Sequence, residues 1–135
     1  MKKENTLDNE YHYSEERDER VKDTAEVFTP PKLVKQMLDS LNIDWNNPPQ
    51  DKTFLDPTCG SGNFLVELAK RGIPVKNLYG LDLMQDNIDT CHKRLKEIYG
   101  DTEDVRFHLN RNIVKGDALE DSYEFHEKFT GFDEW

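Results

Sequence analysis

The residues best suited to chemistry lie in one run, Asp56-Pro57-Thr58-Cys59-Gly60-Ser61-Gly62-Asn63-Phe64-Leu65. A carboxylate followed by a turn with two glycines lets backbone approach a ligand closely, because glycine accepts left-handed dihedrals and has no side chain in the way. The run departs from a pyrophosphate cradle, since Leu65 stands where a third glycine would fall. It is not a phosphate loop either, as no Lys-Ser/Thr pair follows the glycines. Two further acids are similarly placed. Asp82 comes twenty-two residues after Gly60, where a carboxylate can accept from both ribose hydroxyls. Asp117 follows Gly116 and is placed to accept from an adenine amino group. Three acids with no arginine among them suit a nucleoside that lacks phosphate and carries positive charge. S-adenosylmethionine, an adenosine with a sulfonium and an amino-acid end, has that profile.

The surrounding pattern predicts the elements that position these acids. Thr29-Pro30-Pro31 opens a helix with Thr29 as cap and proline in the first turn. Leu33, Val34, Met37, Leu38 and Leu41 then recur at three- and four-residue spacing to about Asn42. A loop over 46–51 precedes a short strand, Thr53-Phe54-Leu55-Asp56. A second helix carries Phe64, Leu65, Leu68 and Ala69 and stops at Gly72. A second strand covers 77–83. A third helix carries Ile88, Cys91, Leu95, Ile98 and Tyr99 and stops at Gly100. A third strand, Asn112-Ile113-Val114-Lys115, leads into Gly116-Asp117. Alternation of this kind predicts an α/β fold: parallel strands joined by right-handed crossovers, with flanking helices. Open sheets of that type bind ligands at the carboxyl ends of the strands, where Asp56, Asp82 and Asp117 all fall.

Composition narrows the function. The 135 residues carry a net charge of −10. Residues 1–27 hold five Lys/Arg against nine Asp/Glu, and residues 116–135 hold one against seven. The stretch between is balanced, twelve against twelve. Phosphate affinity comes largely from Lys and Arg, so an acidic chain without a basic stripe is a poor autonomous DNA binder. Residues 1–26 are a polar acidic extension and 27–135 a domain. No run approaches eighteen apolar residues and no signal peptide opens the chain, which predicts a cytoplasmic protein with no membrane partner. Cys59 reads as a small buried residue, and Trp45 and Trp135 as packing residues. Cys91-His92, His12, His108 and His126 share no ligand spacing, so no metal is expected.

With these residues in place, the sequence resembles the N-terminal half of an S-adenosylmethionine-dependent N6-adenine DNA methyltransferase. The motif order is that of the γ group, which includes methylation subunits of type I restriction–modification systems. Phe28-Thr29-Pro30-Pro31 resembles motif X, and Asp56 through Leu65 resembles motif I. Tyr79-Gly80-Leu81-Asp82 resembles motif II, and Gly116-Asp117-Ala118-Leu119 resembles motif III. The resemblance covers residues 27–120. It implies a partial Rossmann-like methyltransferase fold with strand order 3-2-1. It also implies cofactor contacts from Phe28, Thr29 and Pro30, from Asp56, Pro57, Thr58, Gly60, Gly62, Asn63 and Phe64, from Asp82 and Leu83, and from Asp117 and Ala118. Asp56 would lie near the methionine amino group, Asp82 at the ribose and Asp117 at the adenine amino group.

The family's catalytic motif, (N/D)-P-P-(Y/F/W), does not follow Asp117. The Asn47-Pro48-Pro49-Gln50 run precedes the first strand and lacks the aromatic residue, so it reads as turn punctuation. The resemblance therefore implies no catalytic residues in this chain, with the motif and the DNA contacts coming from a missing C-terminal part or a split-enzyme partner. The first strand would be an open edge, which predicts self-association or a required partner. Two other readings stand beside this one: a non-catalytic cofactor-binding module acting as regulator or decoy, and a small-molecule or protein methyltransferase. Motifs X and I weigh against the last.

Overall fold

Parallel strands cannot be joined by a hairpin, so each pair needs a crossover that packs back on the sheet. The computed structural model describes residues 29–119. Their order is α1 (Pro31–Asp39), β1 (Phe54–Asp56), α2 (Asn63–Lys70), one 3₁₀ turn (Val75–Asn77), β2 (Leu78–Asp82), α3 (Gln85–Tyr99), α4 (Glu103–Asn112) and β3 (Ile113–Lys115). The three strands are parallel, with β2 between β1 and β3. This is the expected order 3-2-1. Asp56 lies opposite Gly80, and Asp82 opposite Lys115. Phe28, the stretch 1–26 and Trp135 lie outside the described residues. No helix among the described residues is long and apolar enough to cross a membrane.

Strand alternation divides the core. Leu78 and Ile113 join Leu65, Leu95 and Leu109 in the main cluster, each at most 1% exposed. Tyr79 and Leu81 point to the other face, with Leu55, Val114 and Ala118 against them.

Two elements differ from expectation. The cap of α1 is Pro30 rather than Thr29, with Pro31 at the first helical position, and the helix ends at Asp39 instead of near Asn42. Only Pro31, Val34 and Leu38 of α1 are buried, while Leu33, Met37 and Leu41 are each about 45% exposed. A helix resting mainly on one neighbour, α2, buries a narrow stripe. Arg71 closes that junction: it bonds Asp39 at 2.9 Å and Glu67 at 2.8 Å, and lies over the Trp45 ring at 4.9 Å. Trp45 is thus a packing residue, as expected. The second difference is α4, which the apolar spacing did not reveal. Thr102 caps it by accepting from the Val105 N–H at 3.2 Å, and Glu103 and Asp104 complement its first turn. Its buried stripe is only Val105, Leu109 and Asn112, too sparse to register as a period.

The Asn47-Pro48-Pro49 run is structural. Gln50 donates to the carbonyls of Pro48 at 3.0 Å and Gly72 at 3.2 Å, and its own carbonyl accepts from Asn77 at 2.9 Å. These contacts precede β1 and β2, so the run sits at the end of the sheet opposite the three acids.

Candidate cofactor site

Strands that run in parallel present their carboxyl ends on one rim. Asp56 ends β1, Asp82 ends β2, and Asp117 comes just after β3. The turn from β1 to α2 folds over the end of β2. The Cys59 N–H donates to the Leu81 carbonyl at 2.8 Å, and the Gly60 N–H donates to Asp82 Oδ1 at 3.0 Å. Gly80 is required beneath it, since a Cβ there would lie 2.9 Å from Leu65 Cδ1 and 3.1 Å from Cys59 Sγ. Gly62 has φ +99°, and a Cβ would meet Cys91 Sγ at 2.6 Å. The space at this second glycine is therefore taken by α3, and only Gly60 of the pair faces the cleft.

Thr29, Asp56, Thr58, Cys59, Gly60, Ser61, Asn63 and Phe64 line that cleft, which encloses about 100 Å³. A whole drug-sized ligand needs roughly 300–1,000 Å³, so the cleft has room for only one polar head of a longer molecule. Pro30, Pro57, Gly62, Asp82, Leu83, Asp117 and Ala118 stand outside its wall. Leu83 is exposed, and Ala118 packs on the Tyr79–Leu81 cluster. Asp117 Oδ1 accepts from the Leu119 N–H at 2.9 Å.

The electrostatics ask for a cation. Burial pushes the Asp56 carboxyl from its ordinary 3.8 up to about 6; the Thr58 N–H, 3.2 Å from Oδ1, opposes this and the Asp82 charge adds to it. Asp82 is already engaged: besides Gly60 on Oδ1, its Oδ2 accepts from the Met84 N–H at 3.0 Å and from Asn87 Nδ2 at 2.9 Å. A carboxylate has about four acceptor sites, so three bonds leave room for one more, not for two ribose hydroxyls. The Ser61 hydroxyl is buried with no hydrogen-bond partner among the described residues. A half-buried acid, an unpartnered hydroxyl and a docked glycine turn together fit a cationic head that also hydrogen-bonds.

Sequence reasoning missed Ser61, Asn87 and Arg94. Arg94 does not line the cleft, but it stands behind the turn and donates to the Ser61 carbonyl at 3.1 Å and to Asn63 Oδ1 at 2.8 Å. The signal was present: Asn87 and Arg94 are polar positions on the buried stripe of α3 with Ile88, Cys91 and Leu95. Cys59 and Cys91 are both buried and free, and hydrogen bonding to Cys91 and burial hold the Cys59 thiol well above its ordinary range. His92 Nε2 lies 2.8 Å from the Ile113 carbonyl, which accounts for its ring.

The N-6 DNA methylase family matches residues 6–128. The type II methyltransferase M.VspI of Vibrio sp. (strain 343) is 36% identical over 118 residues, 87% of this chain and 26% of the relative. A probable cobalt-precorrin-6B C(15)-methyltransferase (decarboxylating) of Methanocaldococcus jannaschii is 29% identical over 102 residues, 73% of this chain and 49% of the relative. The chain thus spans about a quarter and about half of these relatives. No solved structure matches it significantly. With three parallel strands, flanking helices and the glycine turn at the head of α2, the chain belongs to the N-6 DNA methylase family.

Proposed function

We propose that these residues form the S-adenosylmethionine-binding portion of a cytoplasmic DNA adenine-N6 methyltransferase. The observation that carries the reading is Asp56: a half-buried carboxyl with a raised pKa, on the wall of a cleft closed by a glycine turn. S-adenosylmethionine, when bound, supplies an electrophilic methyl on sulfur. Asp56, Thr29 and Ser61 hold its amino-acid end, and the Gly60 backbone lies along it. Asp82 accepts one ribose hydroxyl through its remaining acceptor site, and Asp117, whose Oδ1 also accepts from the Leu119 N–H, accepts from the adenine amino group.

The catalytic N-P-P-aromatic motif and the surface that reads DNA belong to polypeptide beyond these residues, on the same gene product or on a second chain. It pairs along β1, an edge strand. An apolar groove of about 200 Å³ beside that edge, lined by Leu38, Phe54, Leu55, Phe64, Leu65 and Leu68, supports this placement. Self-association through the same edge is the competing outcome, and light scattering separates the two.

The test uses the purified chain. Millimolar S-adenosylmethionine raises its unfolding temperature, by the equivalent of about 2.7 kcal/mol at a hundredfold excess over Kd. The chain alone moves no labelled methyl to DNA, and a polypeptide with the N-P-P-aromatic motif restores transfer. An absent thermal shift overturns the cofactor assignment. Labelled adenine N6 produced by this chain alone overturns the division of labour.

A further inference from the structure

Arg94 sits midway along α3 and is 5% exposed. Its Nη1 reaches 33 residues back to the Ser61 carbonyl and 31 back to Asn63 Oδ1. Asn63 passes the constraint on, donating its Nδ2 to the Thr29 carbonyl at 2.7 Å. A guanidinium has donors and no acceptor, so it can face only the oxygen of a carboxamide. Arg94 therefore decides which way Asn63 points, and the amide nitrogen is left aimed at Thr29. Thr29, Ser61 and Asn63 all line the cleft.

We infer that Arg94 is a positioning residue for the amino-acid end of the ligand: one buried guanidinium fixes the glycine turn at Ser61 and, through Asn63, the Thr29 segment of the cleft wall. This rests on the cofactor reading above and deepens it, because it assigns control of one end of the ligand only. Asp82 at the other end is held by Gly60, Met84 and Asn87.

The test compares two ligands, S-adenosylmethionine and 5′-methylthioadenosine, which keeps the adenosine and thioether but lacks the amino-acid end. Arg94→Met and Asn63→Ala are each expected to weaken S-adenosylmethionine about tenfold and methylthioadenosine less than about twofold. The double variant should lose no more than the single ones, since both act through one chain of bonds. Arg94→Lys should recover part of the loss. Charge alone predicts the reverse, because removing a buried cation favours a cationic ligand. Equal losses for both ligands, or undiminished S-adenosylmethionine binding in folded variants, overturn the inference. Should Arg94→Met fail to fold, the ligand ratio in Asn63→Ala decides. Hydrogen exchange in the free chain is independent of ligand: Arg94→Met should speed the amides of residues 60–63, and unchanged rates refute the clamp. Wild type that binds neither ligand overturns the cofactor reading itself, and exchange then judges the clamp alone.

Discussion

Lowering the pH should weaken S-adenosylmethionine binding through one group. Asp56 titrates at about 6 in the free chain because burial disfavours its charge. A sulfonium and an ammonium need the carboxylate, so the bound state holds it deprotonated. The apparent Kd then scales as one plus the protonated-to-ionised ratio. It is within about 10% of its limit at pH 7, about twofold weaker at pH 6 and about elevenfold weaker at pH 5. No histidine lines the cleft, and the ligand's α-amino group loses its proton only near pH 8, so the window from 5 to 7 reports Asp56. Calorimetry in buffers of different ionisation enthalpy gives the check directly, with about half a proton released per ligand bound at pH 6. The linked effect on folding has the opposite sense. A carboxyl whose folded pKa lies above its unfolded one favours the native state fully below about 3.8, and that favour is lost as pH rises through 6. Asp56→Asn should therefore stabilise the free chain at pH 7 by up to about 3 kcal/mol, have little effect at pH 3.5, and abolish the pH dependence of binding. A flat Kd between pH 5 and 7, or an Asp56→Asn chain that is less stable at neutral pH, refutes the reasoning.

Two further outcomes follow from the packing of the turn. Gly62→Ala combines φ +99° with a contact at 2.6 Å to Cys91 Sγ, and should cost about 2–4 kcal/mol in urea denaturation. Repeating it in a Cys91→Ala background should remove the 2.6 Å clash and lower the cost, leaving about 1–2 kcal/mol of backbone strain plus the tight 3.2 Å contact with the residue 91 Cβ. The Cys59 and Cys91 thiols, both buried, should resist a thiol reagent at pH 8 in the native chain and react at the rate of unfolding; rapid native labelling contradicts their burial.

Much of the architecture was legible from residue order. β1 and β2 end at Asp56 and Asp82 and β3 stops two residues before Asp117, because alternating helix and strand patterns leave few topologies. α4 escaped because only two of its apolar side chains, Val105 and Leu109, are buried, and its clearest mark is a capping threonine. The spacing groups Leu33, Met37 and Leu41 with Val34 and Leu38 although only the latter two are buried, since spacing cannot tell a wide stripe from a narrow one when only one helix lies beneath. At the site, Asp56, Thr29, Gly60 and Asn63 converge as the motifs suggested. The need for glycine at position 62 is not legible in the local sequence, because the atom it avoids lies in another helix. Arg94 and Asn87 were hidden for the same reason: their partners are distant in sequence, and periodicity carries no record of which buried position is polar for a purpose.

The glycine turn also has a place in time. It is contiguous in sequence, yet the bonds that shape it span 22 to 34 residues, to Asp82, Arg94 and Thr29. A nascent chain that has emerged only through α2 possesses the whole motif and none of the later partners that set its form. The turn therefore takes its final form on the ribosome only once the middle of α3 clears the exit tunnel.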